Sequence, residues 1–158
     1  STHLGHSFPT RRSSDLFHTP RGVDGLTANR RAFCQLLWSL WSPSWAAGPS
    51  LYGQSAPSFD NPDFVDVVIH SYRHRFMYAP GDPALASIEQ ALALQPTITV
   101  PTISLCGADD GVGPPPLEDD DAQHFSGVYR RQVLPGVGHN IPQEAPQATL
   151  AALLELLA

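Results

Sequence analysis

Two short loops carry the side chains best suited to chemistry. One is Cys106-Gly107-Ala108-Asp109-Asp110-Gly111-Val112-Gly113-Pro114, with two carboxylates. The other is Pro135-Gly136-Val137-Gly138-His139-Asn140, with an imidazole. A carboxylate held against an imidazole fixes its tautomer and stabilises the imidazolium. The imidazole can then take a proton from a hydroxyl or a water. Asp-Asp-Gly is also an ordinary turn sequence, and a histidine in a glycine-rich loop is usually just exposed. The two loops together, in this order, say more than either alone.

Such a pair works only if rigid elements present both loops at one edge. Thr97 to Leu105, rich in β-branched residues and bounded by turn residues, is expected to be a short buried strand. Tyr129 to Leu134 is expected to be a second strand, ended by Pro135-Gly136. Glu118 to His124 reads as a short polar helix. Ala145 to Ala158 reads as a helix with Leu150, Leu153, Leu154 and Leu157 as its apolar stripe. Strand, helix, strand, helix implies two parallel strands joined by a right-handed crossover. Both loops would then leave the C-terminal ends of parallel strands, where open α/β sheets hold ligands and catalytic groups.

Residues before Pro96 read as helices. Leu26 to Trp41 has Leu26, Arg30, Phe33, Leu37 and Leu40 near one face and stops before Pro43. Ser44 to Ser58 reads as a Pro/Gly/Ser-rich loop. Asn61-Pro62 suits a helix start, with the helix running to about Tyr78. Ala84 to Leu94 gives a third helix. Trp38, Trp41, Trp45, Phe64 and Met77 could line an apolar pocket, although such residues are more often core.

The pattern strand-G-x-x-D-x-V-x-P followed by strand-P-G-x-G-H-x-x-x-x-E-x-P resembles the end of an α/β-hydrolase. The resemblance implies an α/β fold, here a truncated α/β-hydrolase: a helical cap segment over residues 17–95, then the last two parallel strands and C-terminal helix over 96–158. It implies Asp110, rather than Asp109, as the acid and His139 as the base. His70-Ser71-Tyr72-Arg73-His74 is similar to the cap segment of epoxide hydrolases, which would make Tyr72 the acid that protonates an epoxide oxygen. The competing view is an ordinary cap helix with its tyrosine hydroxyl in solvent.

The family's nucleophile sits in G-x-S-x-G or G-x-D-x-G on a strand-to-helix turn. G-x-S-x-G does not occur among the 158 residues, and the one literal G-x-D-x-G, Gly107-Ala108-Asp109-Asp110-Gly111, is the acid loop itself, followed by Pro114-Pro115-Pro116 rather than by a helix. Gly53-Gln54-Ser55-Ala56-Pro57 lacks the second glycine and a preceding strand. Phe8 to Leu16 reads as the translation of a common short-read sequencing adapter, TTC CCT ACA CGA CGC TCT TCC GAT CT, and His6-Ser7 fits its preceding bases. Residues 1–16 are therefore expected to be an artefact and the rest a C-terminal fragment. The expected parent is a cofactor-independent hydrolase working through a covalent ester, on epoxides if Asp attacks and on esters or related acyl compounds if Ser does. The fragment itself is expected to be inactive. A non-catalytic α/β binding module is the alternative from another class.

Composition sets the outer bounds. The net charge is −6, and removing the artefact's net +1 leaves −7. An acidic, mixed surface argues against nucleic acid and anionic membrane as partners and leaves a small apolar substrate. Cys34 and Cys106 read as buried free thiols of a reducing compartment, which points to the cytoplasm. Glu118-Asp119-Asp120-Asp121 lacks the alternating spacing of a calcium loop, and no histidine has zinc-type spacing, so no metal is expected.

Overall fold

The computed structural model describes residues 17–158, so the adapter-like stretch lies outside the described residues. The chain divides into two compact units. The first holds residues 17–40 with Ala46–Pro80, and the second Trp41–Trp45 with Gly81–Ala158.

The first unit is helical. Helix α1, Pro20–Trp41, contributes all but its last residue and is broken at Asn29 (φ −128°, ψ 33°). Helix α2 spans Gly48–Ser55 and runs into a 3-10 turn, Ala56–Asp60. Helix α3 spans Phe64–Arg75. Leu26, only 2% exposed, packs with Phe17, Val65 and Ile69. Val65 and Ile69 are four residues apart and so share a helix face. Burying a leucine so fully contributes about 2 kcal/mol. Arg30 donates to the carbonyls of Phe59 and Asn61 at 2.8 and 3.0 Å, and Arg31 pairs with Asp60. The stretch expected to be a loop is thus largely helical. Its composition favours turns, but Tyr52 and Ala56 are buried, and packing overrides propensity. Helix α3 begins later than Pro62 because the Asn61 side chain accepts the Asp63 N–H at 2.9 Å, closing a turn first. It ends at Arg75, and Met77 takes a positive φ of 65°.

The second unit holds the sheet. A 3-10 turn, Pro83–Leu85, is capped by Asp82 accepting the Ala84 N–H and leads into α4, Ala86–Ala93. Strands β1, Thr102–Gly107, and β2, Tyr129–Leu134, pair in parallel from Thr102↔Tyr129 to Gly107↔Leu134. Strand β1 begins after Pro101, which has no N–H to offer a ladder, and upstream only Ile98 bridges to Phe125. Between the strands lies a 3-10 turn, Asp120–His124. Two further helices follow, α5 at Ile141–Glu144 and α6 at Pro146–Leu156.

The leucine stripe expected on the last helix is not its buried face. Leu150, Leu153, Leu154 and Leu157 are 56%, 54%, 58% and 82% exposed, while Ala152 is 7% exposed. Helix α6 lies against β1. Arg130 on β2 also pairs with Glu155 on α6 at 2.6 Å. Among the described residues no helix is long and apolar enough to cross a membrane.

Candidate active site

The register brings Gly107 and Leu134 side by side, so the two loops leave the sheet at one edge. Backbone bonds zip their first residues together. Ala108 N–H donates to the Leu134 carbonyl at 3.0 Å and Asp109 N–H to the Val137 carbonyl at 2.9 Å. Two glycines make this approach feasible. A Cβ on Gly107 would lie 2.1 Å from the Gly138 carbonyl oxygen, and one on Gly138 would lie 2.6 Å from Ser42 Cα. Both contacts are with backbone atoms, which cannot rotate away.

Across this joint Asp110 meets His139. Oδ2 of Asp110 is 2.9 Å from Nδ1 of His139. Oδ1 accepts the Val112 N–H at 2.7 Å, which fixes the carboxylate within its own turn. The Asp110 side chain is 19% exposed and that of His139 is 40% exposed. The carboxylate is therefore sheltered while the ring stays reachable. With Nδ1 facing Asp110, Nε2 is the nitrogen left for proton transfer. Asp109, the neighbouring carboxylate, is not the one on the histidine.

Sequence reasoning missed a third participant, the segment Trp41–Trp45. The Trp41 carbonyl accepts the N–H of Gly111 at 3.0 Å and of His139 at 3.1 Å, tying acid loop and histidine loop to one oxygen. The Trp41 ring stands edge-on to the His139 ring, centroids 5.4 Å apart. A tryptophan two positions before a proline gave no signal of this, because its partners Gly111 and His139 are distant in sequence.

Tyr72 lies in the first unit, half-buried, its ring 4.7 Å from that of Phe17. Burial pushes its phenol above the ordinary tyrosine value, with Arg75 opposing, which keeps the phenol protonated at neutral pH. Of the residues weighed for a pocket, Trp38 stands against Tyr52, and Met77 is 90% exposed. Ser55 of the Gly53-Gln54-Ser55 sequence closes helix α2 and follows no strand. Of the Glu118–Asp121 run, Asp119 accepts the Tyr129 hydroxyl at 3.1 Å and faces Arg131 at 3.8 Å. Among the described residues no three potential metal ligands cluster.

No protein-family model matches the chain. It is similar to Epoxide hydrolase A of Mycobacterium tuberculosis, 41% identical over 61 residues, which are 39% of this chain and 19% of that protein. It is also similar to the crystal structure of a putative epoxide hydrolase from Klebsiella pneumoniae. The superposition covers 99% of this chain and 52% of that one, at a TM-score of 0.89 and 35% identity. The chain thus spans about half the length of the Klebsiella protein. Its mixed helical and parallel-strand fold is that of the matched half.

Proposed function

We propose that this chain forms the acid–base half of an α/β-hydrolase that opens epoxides through a covalent ester. The observation that carries the reading is the 2.9 Å approach of Asp110 to His139 on adjoining strand-end loops. The two similarities to proteins named as epoxide hydrolases support it.

The proposed chemistry runs in two steps. A carboxylate nucleophile outside the 158 residues attacks an epoxide carbon, forming an ester as the ring C–O bond breaks. The epoxide oxygen takes the phenol proton of Tyr72. Nε2 of His139 then removes a proton from water as that water attacks the ester carbonyl. Asp110 stabilises the resulting imidazolium, and the ester C–O bond breaks to regenerate the nucleophile's carboxyl group. The protons of the imidazolium and of that carboxyl return to the departing alkoxide, giving the diol, and to the Tyr72 phenolate. The residues named need no cofactor. The one G-x-D-x-G sequence, Gly107–Gly111, is the acid loop and leads into no helix, so the chain by itself should not turn over. A serine nucleophile would instead direct the same dyad to esters.

The test uses the reading frame joined in its genome upstream of the Phe17 codon, assayed on an epoxide panel and on nitrophenyl esters. Diol formation from epoxides, strongly reduced by Tyr72→Phe, is expected. Ester cleavage alone would favour the serine reading. No turnover of either class would favour a binding module.

A further inference from the structure

We propose that Glu144 and Ser42 are positioning residues for His139, a role that rests on reading Asp110 and His139 as the working pair. The Glu144 carboxylate lies beneath the histidine loop and accepts bonds from both sides of it. Oε2 accepts the Gly138 N–H at 2.7 Å, and Oε1 accepts the Asn140 N–H at 2.8 Å. Oε1 also accepts the Ser42 hydroxyl at 2.7 Å. Ser42, 5% exposed, in turn accepts the Asn140 side-chain amide at 3.1 Å. The remaining amide, that of His139 itself, donates to the Trp41 carbonyl at 3.1 Å.

Three consecutive backbone N–H groups are therefore all committed, two to one carboxylate and the middle one to the residue before Ser42. Bonds to a carboxylate are short and roughly twice as strong as neutral ones. Together they fix the backbone from which the imidazole projects, and so the angle at which Nδ1 meets Asp110. A loop that merely needed its turn closed could do so with one such bond. Here the bonds converge on the peptide units flanking the histidine, and Gly138 is a glycine because Ser42 lies where its Cβ would be.

The experiment follows the His139 side-chain Nδ1–H resonance by proton–nitrogen NMR in the full 158-residue chain with labelled histidine, assigned by its loss in His139→Gln. Wild type should show a protected, downfield Nδ1–H. Glu144→Gln keeps the volume but offers one acceptor oxygen and sets an NH2 against a backbone donor. It should abolish that resonance while the far-ultraviolet dichroism is retained. Ser42→Ala removes one bond and should speed solvent exchange of the Nδ1 proton about ten-fold, the factor one hydrogen bond is worth. It decides the matter if Glu144→Gln fails to fold. An unchanged resonance and exchange rate in Ser42→Ala and in any folded Glu144→Gln would overturn the proposal. Asp110→Asn tests the underlying reading separately. If that variant keeps the resonance, or wild type lacks it, the pairing itself is wrong.

Discussion

At the scale of single residues the site depends on how each ionisable group is sheltered. Asp110 is sheltered more than His139, so the anion sits behind the ring rather than in solvent. Tyr72 shows the same principle with a measurable consequence. Its folded pKa is raised above the unfolded value because burial disfavours the phenolate. The stability this contributes is fully present below the unfolded tyrosine pKa and is lost as pH rises through the folded one. Urea titrations across the alkaline range should show a falling midpoint, and Tyr72→Phe should flatten that fall. Asp60 gives the opposite sign. Its hydrogen bond with Arg31 lowers the carboxyl pKa, so its contribution is present above the ordinary carboxylate range and fades as pH falls.

At the scale of elements, glycine positions separate local propensity from packing. Gly25 lies inside α1 with nothing within 4 Å of where a Cβ would stand, whereas Gly138 sits against Ser42. Gly25→Ala should stabilise the chain by about 0.5–1 kcal/mol, since alanine is the better helix former. Gly138→Ala should destabilise it by roughly 1–3 kcal/mol through overpacking. Chemical denaturation of both variants measures the contrast. The same division explains what could be read beforehand. Strand β2 was legible to the residue, because its turn signal at Pro135-Gly136 is local. The two loop motifs were legible as spacing. Helix α2 was not, because burial of Tyr52 depends on α1, whose Arg31 carbonyl accepts its hydroxyl. Nor was the Trp41–Trp45 staple, whose partners lie about a hundred positions away.

For the whole molecule, the weight falls on apolar surface. Parallel sheets bury both faces, and a two-stranded sheet is marginal alone. Here the last helix presents Leu150, Leu153, Leu154 and Leu157 mostly to solvent, and Val100 is 62% exposed. A net charge of −6 opposes association only weakly at physiological salt. Light scattering should therefore report concentration-dependent association of the 158-residue chain. Replacing Leu150, Leu154 and Leu157 together by glutamine should suppress it.

In the proposed reaction His139, held by Asp110, releases a covalent ester. The most direct measurement is intact-protein mass spectrometry of the complete reading frame mixed with an excess of epoxide, wild type beside His139→Gln. Wild type should turn epoxide over to diol, and the variant should hold a single stoichiometric substrate adduct with no turnover. Diol turnover at wild-type rate by His139→Gln, with no adduct, would contradict it.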